Sequence, residues 1–141
     1  MTDLDVTGFD TSKVTNMSAL FSGCDKLLEL DLSHFDTSSV TAMSSMFRDC
    51  SSLKTLDLSG FDTSNVTDMS CMFMNCYGLE KLDVSGFDTS KVAKMQFMFY
   101  QCSSLKKFDA KKFPVNVETA YTNYMFYKFA GTIPSWYYRK Q

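Results

Sequence analysis

Leu53-Lys54-Thr55-Leu56-Asp57-Leu58-Ser59-Gly60-Phe61-Asp62-Thr63-Ser64-Asn65-Val66-Thr67-Asp68-Met69-Ser70-Cys71-Met72-Phe73-Met74-Asn75-Cys76-Tyr77-Gly78 is one copy of a unit that recurs every 26 residues. Its Leu-Asp pair returns as Leu4-Asp5, Leu30-Asp31, Leu82-Asp83 and, altered, as Phe108-Asp109. Phe61 has counterparts at Phe9, Phe35, Phe87 and Phe113; Val66 at Val14, Val40 and Val92; Met69 at Met17, Met43 and Met95. Phe73 answers to Phe21, Phe47 and Phe99, and Cys76 to Cys24, Cys50 and Cys102. A period of roughly 20 to 50 residues is the signature of stacked supersecondary units, each burying its apolar side only against a neighbour.

Leu56 and Leu58 alternate with Asp57, the period-two pattern of a half-buried strand. One short strand per repeat is expected. Val66, Met69, Met72 and Phe73 stand at offsets 0, 3, 6 and 7, a spacing that predicts one face of a short helix. Ser64 or Thr63 is placed to cap its start, and Asp62 to fold an Asx-turn at the corner. A unit of strand, corner and helix with the spacing Leu-x-x-Leu-x-Leu resembles the leucine-rich repeat. The expected fold is therefore α/β: a leucine-rich repeat solenoid of about five repeats, parallel strands on its concave face and short helices on its convex face.

The longer motif Leu-Asp-Leu-Ser-x-Phe-Asp-Thr-Ser-x-Val-Thr-x-Met-x-x-Met-Phe-x-x-Cys-x-x-Leu is similar to the repeat of BspA-like bacterial surface proteins, related to the treponemal class of leucine-rich repeats. The resemblance covers nearly the whole chain. It implies a cell-surface or secreted domain that mediates adhesion or other protein binding, and it brings no catalytic residues.

The fifth copy departs from the pattern. Pro114 follows Phe113 where the other copies carry Asp, and the later landmarks slip by one residue, so that Tyr124-Met125-Phe126-Tyr127 echoes Phe97-Met98-Phe99-Tyr100. Phe129 takes the place of a fifth ladder cysteine, and the chain closes on Gly131-Thr132-Ile133-Pro134 and Trp136-Tyr137-Tyr138. Such a terminal unit predicts a cap over the open edge of the core. A single domain over residues 1–141 is expected, with regular repeats across 4–107 and the degenerate repeat and cap across 108–141. Met1-Thr2-Asp3 begins no signal peptide, and the first repeat starts at its strand, as in a piece cut from a longer surface protein.

A chain of 141 residues buries roughly two-thirds of its unfolded surface. Thirteen Phe and ten Met supply that interior, and the regular spacing of the methionines makes them packing residues rather than a binding face. A net charge of −2 excludes the strong positive field of a nucleic-acid binder. No run of roughly 18 apolar residues is present to insert into a membrane. The charge is lopsided, however: residues 1–70 carry 11 carboxylates and 4 basic side chains, residues 71–141 carry 5 and 10. An acidic end and a basic end suit head-to-tail self-association.

Cys24, Cys50, Cys76 and Cys102 form a ladder that matches no zinc spacing, with Cys71 apart from it on the expected helix. Their side chains are parallel in neighbouring units, which favours free buried thiols over disulfides and makes Cys71 the better labelling site. His34 stands where three other copies carry Gly, without a recurring partner for nucleophilic chemistry. No glycine-rich phosphate loop, acid–base pair or metal triad occurs, so neither enzyme activity nor a cofactor is expected. The sequons Asn16-Met17-Ser18 and Asn65-Val66-Thr67 arise from the repeat template itself.

Asp5, Asp31, Asp57, Asp83 and Asp109 make a row of like charges along the strand face. Hydrogen bonds to Thr7, Ser33, Ser59, Ser85 and the backbone are the expected compensation, since a linear row lacks the converging oxygens of a calcium site. The candidate partner-binding residues are the outward ones of the concave face: Glu29, Asp31, Thr55, Asp57, Lys81, Asp83, Lys107 and Asp109. The partner expected there is a protein, either host matrix or another cell-surface protein. The other reading is a spacer or self-assembling segment of a surface fibre, and the missing Trp and Tyr in these columns favour it. The C-terminal aromatics Tyr121, Tyr124, Tyr127, Trp136, Tyr137 and Tyr138 are read first as part of the cap and, as the alternative, as a second contact surface.

Overall fold

Residues one period apart lie above one another. The computed structural model describes residues 2–108 and 120–140, and in it parallel bridges join Asn16 to Ala42, Ala42 to Asp68, Asp68 to Lys94 and Lys94 to Tyr121. Three steps are of 26 residues and the last is of 27, so the slip in the degenerate copy is absorbed before Tyr121. Two short strands, β1 (Thr55–Asp57) and β2 (Lys81–Asp83), pair in parallel with Leu56 opposite Leu82 and Asp57 opposite Asp83. The one helix among the described residues, α1 (Ser135–Lys140), lies near the C-terminus.

The expected solenoid of strands and helices is overturned. The described residues hold one open two-stranded sheet and the one short helix, and none of the segments equivalent to 66–73 is helical. The hydrogen bonds explain why. In a helix each amide would donate to the carbonyl four residues back, whereas Met69, Cys71, Phe73 and Asn75 donate instead to Lys94, Gln96, Met98 and Tyr100 of the following repeat, at 2.8–2.9 Å. Amides between them close four-residue turns, as Met72 to Met69 and Met74 to Cys71. Ala19, Ser45, Cys71, Phe97 and Tyr124 each sit at a φ of 55–59°, in the left-handed region. Four residues further on, Gly23, Asp49, Asn75, Gln101 and Lys128 are left-handed as well, at φ 52–78°, and two such residues per repeat are incompatible with a continuing right-handed helix. Thr63 and Ser64 therefore cap nothing, and Cys71 lies in a turn.

Strands also form at fewer places than expected. Leu4–Val6 and Leu30–Leu32 are not strands, and Asp109, with Lys111, Phe113 and Pro114, lies outside the described residues.

The inward spacing of the apolar residues is nevertheless satisfied. Val66, Met69, Met72 and Phe73 have no exposed surface, and neither do Met43, Met46, Met95 and Met98. Phe21, Phe47, Phe73, Phe99 and Phe126 stack with ring centroids 5.6–5.7 Å apart and planes within 12°. At that separation nearly parallel rings are offset, the favoured aromatic geometry, worth about 0.5–1.5 kcal/mol per pair beyond burial. The column ends where Tyr137 meets Phe126 edge-on at 5.1 Å and Trp136 at 6.3 Å, so the aromatic C-terminus covers the core edge.

Candidate functional site

Glu29, Asp31, Thr55, Asp57, Lys81, Asp83 and Lys107 are all exposed, while Leu56 between two of them is buried. The parallel pairing of β1 with β2 sets Thr55 beside Lys81 and Asp57 beside Asp83. These four line a shallow open depression of about 370 Å³ with Leu56 and Leu82 at its floor. Asp31 joins Asp57 in a second depression with Ser33, Ser59 and Phe61, and Lys107 joins Lys81 and Lys106 in a third. The structure thus gathers six of the candidates into three neighbouring hollows rather than one pocket, and Glu29 lines none of the three. The eighth, Asp109, falls outside the described residues.

Among the described residues, each carboxylate of the row is held by the residue two positions on. Asp57 accepts from the Ser59 hydroxyl at 2.6 Å and amide at 2.9 Å; Asp5 accepts from both groups of Thr7; Asp31 and Asp83 accept from the amides of Ser33 and Ser85. The Ser59 hydroxyl and amide hold the Asp57 carboxyl below the ordinary carboxylate range, those of Thr7 do the same for Asp5, and the Ser33 amide and hydroxyl for Asp31. One oxygen of each carboxylate is thereby turned into the backbone. Among the described residues Lys81 and Lys107 make no ion pair, and Glu80 is joined to Lys54 at 3.7 Å. Along the column Asp3, Glu29, Thr55, Lys81, Lys107 the charge runs from negative to positive, one repeat at a time.

The other motifs resolve into structure. The Nε2 of His34 lies 2.7 Å from the Val6 carbonyl and its ring packs edge-on against Phe35, so the imidazole ties the first repeat to the second. Cys50, Cys76 and Cys102 are buried free thiols whose Sγ atoms donate to the carbonyls of Phe21, Phe47 and Phe73 at 3.1–3.2 Å. Burial pushes the Cys50 and Cys102 thiols up to about 12, far from nucleophilic thiolates. Cys71 and Cys24 are half-buried, and burial also raises the Cys71 thiol. Among the described residues no three His, Cys, Asp or Glu side chains gather to hold a metal ion, and no helix is long and apolar enough to cross a membrane.

A second surface was legible only in part. Phe97 stacks on Tyr124 at 5.3 Å and Tyr100 on Tyr127 at 4.9 Å along the turn edge, leaving Tyr121, Tyr124 and Tyr127 45–64% exposed. Trp136 and Tyr137 pack edge-on against Phe126.

No curated protein and no solved structure matches the chain. Residues 1–113 and again 57–140 match the family described as Mycoplasma protein of unknown function, DUF285, a family found in BspA-like repeat proteins, and the chain belongs to that family.

Proposed function

We propose that the chain is a BspA-like, non-catalytic protein-binding module of a cell-surface or secreted protein, and that it meets its partner with the strand face. The observation that supports this reading is the set of exposed polar side chains held in fixed register around β1 and β2: Thr55, Asp57, Lys81 and Asp83 over the shared hollow, with Glu29, Asp31 and Lys107 on either side. Such a face suits a broad protein surface, because affinity is distributed along columns instead of concentrated in an enclosed pocket. The serine and threonine contacts that orient each aspartate reduce the side-chain entropy lost on binding, which favours recognition. Host matrix proteins and other cell-surface proteins are the partner class.

The test is binding of the purified chain to a panel of immobilised matrix and surface proteins. The double variant Lys81→Glu, Asp57→Lys is expected to weaken a true partner at least tenfold while the melting temperature stays within a few degrees. Equal binding by the variant would move the contact surface elsewhere, and a panel without any binder would sink the adhesive reading.

A further inference from the structure

Charge around the paired strands is sorted rather than scattered. Among the described residues, the hollow that holds Asp31 and Asp57 carries no basic side chain. The hollow of about 310 Å³ that holds Lys81, Lys106 and Lys107 carries one carboxylate, Glu80. Between them lies the depression of Thr55, Asp57, Lys81 and Asp83, which shares Asp57 with the first and Lys81 with the second. The parallel pairing of β1 with β2 fixes that order, because it sets Lys81 beside Thr55 and Asp83 beside Asp57, one repeat further along.

Both charged ends are open to a ligand. Among the described residues Lys81, Lys106 and Lys107 make no ion pair, and Glu80 is turned to Lys54 at 3.7 Å. Leu82, Leu105 and Phe108 line an adjoining hollow together with Lys81 and Lys107. Apolar walls beside an ammonium group lower the local dielectric and strengthen its pull on an anion. At the other end Asp31 and Asp57 take Ser33 and Ser59 on Oδ1, which leaves Oδ2 of each to accept from an incoming cation. A uniform polyanion is a poor match for this arrangement. Drawn to the lysines, its next charges would fall on Asp83 and Asp57, and like charges set together at an interface select against the wrong ligand.

Spacing sets the length of what does match. Paired strands lie about 4.8 Å apart and an extended chain advances about 3.3 Å per residue, so two hollows centred two repeats apart are bridged by about three extended residues. We infer that the partner meets this face with an extended segment of segregated charge: carboxylates over Lys81, Lys106 and Lys107 and, about three residues away, basic side chains over Asp31 and Asp57. The inference rests on the protein-binding reading above and adds the chemistry of the segment recognised.

The probes are two synthetic peptides of one composition, the first with a block of Glu and a block of Lys joined by a short neutral spacer, the second with the same residues in alternation; heparin is the uniform polyanion. Titration into the isotope-labelled chain, followed by NMR, should show the segregated peptide binding at least about tenfold more tightly than the other two, more weakly as salt is added, with shifts at residues 31–33, 57–59, 81–83 and 106–107. The variant Lys81→Gln, Lys106→Gln, Lys107→Gln and the variant Asp31→Asn, Asp57→Asn should each lose at least about tenfold in affinity at unchanged melting temperature. Asn keeps the turn, as Asn16 does with the Ser18 amide. If the triple variant fails to fold, Lys106→Gln, Lys107→Gln serves at the same hollow. Equal binding of the two peptides, tighter binding of heparin, or variants that bind like wild type would overturn the inference. The panel of matrix and surface proteins separates it from the reading beneath it. A panel protein that is captured, but neither displaced by the segregated peptide nor weakened by the lysine variant, overturns the inference and leaves the adhesive reading standing. A chain that selects the segregated peptide and captures no panel protein supports the charge rule and sinks the adhesive reading.

Discussion

Thr63 has no exposed surface, and its hydroxyl both donates to the Asp88 carbonyl at 2.9 Å and accepts from the Asp88 amide at 2.8 Å. Thr37 does the same with Asp62. Read along the sequence, Thr63 is a helix-cap candidate; in space it joins two repeats. Thr63→Val keeps the shape and strands both backbone groups, so a loss of about 1–3 kcal/mol is expected, measured as a lower urea midpoint at unchanged slope. Aspartate acts locally instead. The Ser64 hydroxyl and amide hold the Asp62 carboxyl below its ordinary value of 3.8, and Asp5, Asp10, Asp31, Asp36, Asp57 and Asp88 are lowered in the same way by the hydroxyl and amide two residues on. A carboxyl whose folded pKa lies below its unfolded one stabilises the fold above the unfolded value and ceases to do so as pH falls through the folded one. The melting temperature should therefore hold level above about pH 5 and decline as the pH passes below about 4. Asn16 makes the same contact to the Ser18 amide with an uncharged oxygen, so Asp62→Asn should keep its turn and flatten part of that decline.

At the scale of the element, the turn segment decides the architecture. Apolar offsets of 0, 3, 6 and 7 fit a helix, and they fit equally well a chain of tight turns whose alternate amides leave for the next repeat. What separates the two is the composition between the apolar positions: Thr67, Asp68, Ser70 and Asn75 belong to residue types whose side chains compete for backbone hydrogen bonds and favour turns over helix. That signal was present and outweighed by the periodicity. The left-handed residue of each turn makes a two-way prediction at Ala19, which is exposed at φ 59°. Ala19→Gly should raise stability by up to about 1 kcal/mol, the strain relieved exceeding the extra unfolded-state entropy, and Ala19→Val should lower it by about 1–2 kcal/mol. Equal midpoints for the two variants would mean that the turn relaxes at no cost. Gly86 tests close approach of a different kind. A Cβ there would stand 2.5 Å from the Ser59 carbonyl, so Gly86→Ala must push two repeats apart and destabilise the pair.

For the molecule as a whole, the continuous phenylalanine column makes the repeats interdependent. Phe73 touches Phe47 on one side and Phe99 on the other, and Phe73→Ala should cost about 3–5 kcal/mol, enough to unfold a chain of ordinary stability. Cys50, Cys76 and Cys102 report on the same cooperativity, being buried and protonated in the folded state. A thiol reagent at neutral pH should modify at most Cys24 and Cys71 in the native protein, with the other three appearing together in denaturant, as mass spectrometry of quenched samples would record. Staggered appearance would instead show repeats opening one at a time.

By itself the sequence determined the 26-residue register, the inward columns of Phe, Met and Leu, the outward columns of the strand face and the aromatic closure near Trp136, because burial follows from spacing whatever backbone carries it. Only the tertiary structure decided which backbone that is. Whether an amide between Val66 and Asn75 turns back along its own segment or across to the next repeat depends on whether a carbonyl of that repeat stands within reach, and that partner is 25 residues away in the chain.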